Sequence, residues 1–127
     1  MSHKILPNLL YTKEHEWIEV KGDIACLGVT DFAQSSMGDI VFIEAPEVGS
    51  HVSQNAACGV VESIKSVSDI FSPVSGTVAE TNTEVTSSPE LVNSDPYGAW
   101  IIKIKLSNTK ELGGLMNPDQ YAEHCKA

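Results

Sequence analysis

Lys65 stands in "VVESIKSVSDIFSPVSG", residues 60–76, with a run of β-forming residues before it and a Ser- and Asp-rich break after it. An amine in that setting has two uses. It can keep the surface wetted, the commonest role of an exposed lysine, or it can be the point at which another enzyme attaches an acyl group. The second use requires a side chain that stands clear of the body on a turn pinned by two strands, with no rival partner to hold the ammonium down. Both flanks, "VVESI" and "SVSDIF", read as strands, which leaves four or five residues around Lys65 as an exposed hairpin tip.

Other residue types capable of chemistry are less well placed. Ser63, Ser66 and Ser68 flank the lysine, but no histidine lies beside them in sequence to act as a base, and no nucleophile signature surrounds them. The three cysteines, Cys26, Cys58 and Cys125, are odd in number and widely spaced, so they form neither a disulfide framework nor a CxxC pair. They are expected to be small buried hydrophobes in a reducing compartment. The four histidines, His3, His15, His51 and His124, are scattered, and His124 and Cys125 would point about 100° apart on a helix, so no metal site is expected.

The elements that must position Lys65 follow from the hydrophobic pattern. "EWIEVKGDIACLGV" alternates on both sides of Gly22-Asp23 and predicts a hairpin. Thr30 is placed to cap a two-turn helix over "DFAQSSM", with Gly38 available to end it. Between Asp39 and Ile64 short strand-like runs are broken by Pro46, Gly49 and Gly59, a spacing that suits a small barrel or sandwich. Beyond Lys65 the rhythm resumes, then gives way to a polar excursion, "TSSPELVNSDPYGA". It closes with the strand "WIIKIKL", in which Trp100, Ile102 and Ile104 are expected to share one face. Leu112, Leu115 and Met116 have helical spacing, and Asn117, Pro118 and Gln120 predict a capping box that opens a C-terminal helix.

At 127 residues and 42% hydrophobic content, the chain can close one core, and a single domain over 1–127 is expected. No apolar run approaches the ~20 residues that cross a bilayer. With 8 Lys+Arg against 17 Asp+Glu, the net charge of -9 repels phosphate backbones, which argues against nucleic acid and favours partners with a basic docking face.

Four blocks, in order, carry a resemblance: "YTKEHEW" (11–17), "GVTDFAQSSMGDIVFIEAPEVG" (28–49), "VVESIKSVSDIFSPVSGTV" (60–78) and "PELVNSDPYGAWIIKIK" (89–105). The chain resembles the glycine cleavage system H proteins over nearly its whole length. One departure is a Tyr97–Trp100 loop one residue shorter than the family's usual pattern. The resemblance implies a mainly β barrel-sandwich hybrid, two small antiparallel sheets with short flanking helices and a C-terminal helix. It also implies lipoic acid in amide linkage on Lys65. The chain would then be a carrier rather than an enzyme, taking an aminomethyl group from glycine decarboxylase to a tetrahydrofolate-dependent aminomethyltransferase and being reoxidised by dihydrolipoamide dehydrogenase. A lipoate ligase or lipoyl transferase would load it.

Within that resemblance, the acids near the motif gain a role beyond surface charge. Glu16 and Asp69, with Glu14 beside them, are candidates to pair with the ammonium of a loaded arm and shelter it from water. His15 is read as an exposed or packing histidine rather than a proton shuttle. Biotin carriers are disfavoured because they resemble an Ala-Met-Lys-Met pattern where this chain has Ser63-Ile64-Lys65-Ser66. Lipoyl domains of 2-oxoacid dehydrogenases are shorter and carry Pro/Ala linkers. The standing alternative is a lipoyl donor or relay on the same fold. A monomer in a bacterial cytoplasm is expected, ahead of a processed protein of the mitochondrial matrix.

Overall fold

Apolar residues recur with period two through most of the chain, and short antiparallel strands follow from that pattern. In the structure, a computed structural model that describes residues 4–126, the elements are β1 (Leu10–Tyr11), β2 (Glu16–Lys21), β3 (Ile24–Val29), α1 (Asp31–Met37), β4 (Ile40–Glu44), β5 (His51–Val52), β6 (Ala57–Ser63), β7 (Val67–Phe71), β8 (Gly76–Thr81), α2 (Thr83–Ser87), α3 (Leu91–Ser94), β9 (Ile102–Leu106) and α4 (Pro118–Lys126). A 3-10 turn, Thr109–Gly114, precedes α4. His3 lies outside the described residues.

A six-stranded antiparallel sheet runs β1-β2-β3-β9-β8-β5, and a three-stranded one runs β4-β6-β7. Register explains the core. Ile18, Leu27 and Ile102 form one rung of the large sheet, and Ala25, Ile104 and Val78 form another, all nearly or wholly inaccessible to solvent. Ile43 and Val61 pair on the small sheet and join the same cluster, with Ile70 beside them. Each such valine, leucine or isoleucine side chain contributes about 1.5–3 kcal/mol on burial. This is the mainly β, two-sheet architecture that the resemblance implies.

Local signals behave as their chemistry dictates. Gly22 takes φ +62° in the β2–β3 turn. Thr30 accepts a hydrogen bond from the Ala33 N–H at 3.2 Å to start α1. At α4 the capping box is complete, with Asn117 Oδ1 accepting from the Gln120 N–H at 2.8 Å and Gln120 Oε1 accepting from the Asn117 N–H at 2.9 Å. Tyr121 on α4 stacks on Tyr11, ring centroids 4.4 Å apart, in a second cluster with Leu9 and Trp17.

Three expectations need correction. Trp100 does not share a face with Ile102 and Ile104: Ile101 bonds to Leu27 and Asn82 as an irregular residue before β9 and is itself buried. Trp100 is thereby turned outward, where Lys103 Nζ lies 4.7 Å from its ring centroid. Leu115 and Met116 are not helical. The 3-10 turn ends at Gly114, and Met116 bridges Tyr11 through two backbone hydrogen bonds, so all three residues pack without sharing a helix. The strand rhythm stops at Thr81: Thr83–Ser87 forms α2, which runs into the start of the polar excursion, and the excursion itself holds α3, the two short helices each anchored by one buried valine, Val85 and Val92.

Candidate functional site

The β6–β7 hairpin leaves Ile64, Lys65 and Ser66 as its tip, all exposed. Ser63, the last residue of β6 and itself buried, closes the turn: its N–H donates to Ser66 O at 2.8 Å while its Oγ accepts from the Ser66 N–H at 3.1 Å. A second tie comes from outside the hairpin, where the Ile64 N–H donates to Asp39 O at 3.1 Å. Among the described residues no ion pair holds the Lys65 ammonium. The tip is thus fixed at its base, and the amine is free at its end.

Two supports lie outside the hairpin: Gly38, which the sequence marks as the end of α1, and Asn93, which it does not mark. Gly38 ends α1 at φ +80°, ψ -154°, a region essentially restricted to glycine, and a Cβ there would lie 3.7 Å from Lys65 Cε. Asn93 of α3 clamps the same segment. Its Oδ1 accepts from the Ile40 N–H at 2.8 Å, and its Nδ2 donates to Gly38 O at 2.9 Å and to Gln34 Oε1 at 3.0 Å. The Asp39 carbonyl that seats the lysine tip lies between the two backbone groups Asn93 holds. A mid-sequence asparagine in a polar stretch gives no sign of this, because its partners are 53 to 59 residues away.

The acids near the motif divide into two groups. Glu14 and Glu16 line a cleft of about 420 Å³ that is walled by Thr12, Phe71 and Met116. Glu16 is not a surface charge: it is 2% exposed, its Oε1 accepts from Thr12 Oγ1 at 2.7 Å, and its Oε2 accepts from the Phe71 N–H at 2.9 Å. Burial pushes its carboxyl above the usual range, a rise opposed by those two hydrogen bonds and reinforced by the charge of Glu14. Asp69 is exposed on β7 two residues before Phe71, so on that strand the two side chains leave by the same face. It does not line the cleft. Along β7, Asp69 lies about 7 Å and Phe71 about 13 Å beyond Val67, the first residue after the tip.

His15 packs rather than reaches into solvent. It adopts φ +68°, its ring stacks on Phe32 at 4.3 Å and on His124 at 5.2 Å, and its Nδ1 shares a hydrogen bond of 2.8 Å with Tyr121 Oη. Burial, then the neighbouring His124, lowers its basicity, while Glu14 acts the other way. The cysteines are half-buried rather than fully buried, and none is paired. Burial pushes the Cys26 thiol up to about 11 and the Cys58 thiol up to about 12, so both stay protonated and unreactive at neutral pH. Among the described residues no group of three or more metal-ligating side chains comes together, and no helix is long and apolar enough to cross a membrane.

Comparison with known proteins places these features in a family. The family described as "Glycine cleavage H-protein" matches residues 9–127. A glycine cleavage system H protein of Alkaliphilus oremlandii is 50% identical over 123 residues, covering 97% of each chain. One from Carboxydothermus hydrogenoformans is 56% identical over 115 residues, covering 90% of this chain and 88% of its own. Among solved structures, a glycine cleavage system H protein from Mycobacterium marinum superposes with a TM-score of 0.89 at 37% identity, covering 97% of this chain and 100% of that one.

Proposed function

Since this chain belongs to the glycine cleavage H-protein family, we propose that it is a lipoyl-bearing carrier of glycine cleavage and that Lys65 is its attachment site. The observation that carries the assignment is the lysine itself, an exposed amine held by no ion pair among the described residues, on a three-residue tip whose base is held by Ser63 and Asp39. Those residues fit the group, because acylation needs a free amine and leaves an uncharged amide that suits an exposed tip. When bound, the lipoyl group supplies the dithiolane redox and group-carrying chemistry that the side chains of this protein lack.

The chain's own contribution is positional. The hairpin holds the attachment point still, and the face of β7 leads from it past Asp69 toward the cleft lined by Glu14 and Glu16. Asp69 and Glu14 are the carboxylates free to meet a cationic cargo, and Glu16, already bonded to Thr12 and Phe71, shapes the cleft and adds its charge. The partners are then a lipoate ligase or lipoyl transferase, a pyridoxal-phosphate-dependent glycine decarboxylase, an aminomethyltransferase and dihydrolipoamide dehydrogenase. The setting is a bacterial cytoplasm, with the chain acting as a monomeric single domain and catalysing no step itself.

The test is direct. Protein incubated with lipoate, ATP and a lipoate ligase is expected to gain one lipoyl group, mapped to Lys65. Lys65→Arg should melt as the wild type does and stay unmodified, because a guanidinium keeps the charge but forms no such amide. Modification of another lysine, or none, would overturn the assignment.

A further inference from the structure

Five large apolar side chains among the described residues are exposed, and four of them, Val41, Phe42, Ile64 and Val67, gather at the Lys65 end of the small sheet. Single exposed hydrophobes are ordinary, but a cluster of them is not. Its construction is specific. A register shift between Ile40 and Phe42 breaks the alternation of β4, so Val41 and Phe42, 53% and 44% exposed, are consecutive residues that both face solvent. Phe42 and Val67 are the cross-strand partners of Glu62 on either side, which makes Phe42-Glu62-Val67 one outward rung, with Ile64 beyond it at the tip.

The electrostatic setting of this collar is one-sided. Asp39, Glu44 and Asp69 are exposed around it, Glu62 lies within it, and Lys65 is the only Lys or Arg between residues 22 and 102. An apolar surface ringed by carboxylates fits a partner that offers an apolar strip flanked by arginines or lysines.

We infer that the collar is the docking surface for the enzyme that acylates Lys65, an inference that rests on the lipoyl assignment above. Reach selects this occupant. The acylating enzyme must bring its reacting carbon to Nζ of a bare lysine, one side chain's length from the hairpin, so its surface has to abut Ile64, Val67 and their neighbours. Enzymes acting later meet the far end of a longer arm. The step itself is acyl transfer from a lipoyl adenylate that the ligase makes from lipoate and ATP with release of pyrophosphate. The neutral Nζ amine attacks the acyl carbon, the C–N amide bond forms as the acyl–phosphate bond breaks, AMP departs with the bonding electrons, and the amine's proton passes to solvent.

The test uses the unmodified full chain, a bacterial lipoate ligase, lipoate and ATP, with rates read by intact mass and affinity for the ligase read by calorimetry. In the double variant Phe42→Ser/Val67→Thr, KM and the dissociation constant should rise about tenfold, with kcat within about twofold of wild type. Val48→Ser, an exposed apolar residue away from the tip, should behave as wild type, and salt should raise the wild-type KM. Melting temperatures check folding, and Val67→Thr alone, which keeps a β-branched side chain, carries the test if the double variant unfolds. Wild-type KM and affinity in a folded collar variant that is still modified on Lys65 would overturn the docking surface and leave the carrier assignment standing. Failure of the wild type to be modified on Lys65 would instead remove the assignment on which it rests.

Discussion

Replacing Asn93 with alanine removes three hydrogen bonds from the segment that seats the lysine hairpin. The Ile40 N–H suffers most, because Ile40 is only 3% exposed and water has little access to it. An unsatisfied buried donor costs about 1–3 kcal/mol, while Gly38 O and Gln34 Oε1, both in half-exposed residues, can turn to water at less than about 1 kcal/mol each. The sum is about 2–4 kcal/mol, which for a chain of this size lowers the melting temperature by roughly 6 to 20 °C. Thermal unfolding measures the loss. Hydrogen exchange locates it, since the Ile40 and Ile64 amides should exchange faster while those of β9 change only with global stability. Asn93→Asp sharpens the test: it keeps an acceptor for the Ile40 N–H but turns a second carboxylate oxygen toward Gly38 O and Gln34 Oε1. It should be at least as destabilising as alanine at neutral pH. A melting temperature within about 2 °C of wild type for Asn93→Ala, well below the span expected for an orphaned buried amide, would refute the clamp. Stability restored by Asn93→Asp would show that the donor half of the side chain does nothing.

Further consequences can be checked alongside. Burial raises the carboxyl pKa of Glu16, so above that pKa its charge opposes folding, and the penalty is absent once the pH falls below the unfolded value. Glu16→Gln, which keeps an acceptor for the Phe71 N–H, should therefore melt at or above the wild-type temperature at neutral pH, whereas Glu16→Ala should lose about 2–3 kcal/mol in denaturant titrations. His15 has a lowered pKa, so the unfolded chain takes up the proton first, and stability present above about pH 6.5 should decline on acidification toward the folded value. His15→Asn tolerates the positive φ and should flatten that decline when melting is followed against pH. Gly38→Ala should cost about 1–3 kcal/mol through backbone strain and slow Lys65 acylation, measured by intact mass, because the carbonyls on either side of the seating bond would shift.

What the sequence disclosed and what it concealed divide by range. The Thr30 and Asn117 caps, the Gly22 turn and the alternating strands are written within a few residues of themselves, and the structure has them where local chemistry puts them. Lys65 was legible for the same reason, since a hairpin tip is a local object. The helices α2 and α3, of five and four residues, are too short to display a period. The outward turn of Trp100 depends on Ile101 bonding to Leu27 and Asn82, and the burial of Glu16 depends on Phe71, 55 residues away. Three serines beside the lysine drew notice as potential nucleophiles, yet Ser63 has a turn-closing task that only the paired strands reveal. Long-range hydrogen bonds leave no periodicity behind them, so the clamp at Asn93 and the latch at Glu16 emerge only in three dimensions.

The double anchoring of the tip, through Ser63 within the hairpin and Asp39 from outside it, fixes the origin of whatever Lys65 bears. A tethered group with a fixed origin searches only the hemisphere its own bonds can sweep, and any site inside that volume meets it at an effective concentration of about millimolar or above, however dilute the protein. Were the hairpin loose, the reach would lengthen, the swept volume would grow with the cube of the total reach, and the concentration would fall in proportion. At about 1 mM, a local affinity of only about 4 kcal/mol half-fills a docking cleft. Stiffness at the hairpin thus lets weak, rapidly reversible contacts on the carrier hold its cargo for part of the time and release it without a large barrier when a partner arrives.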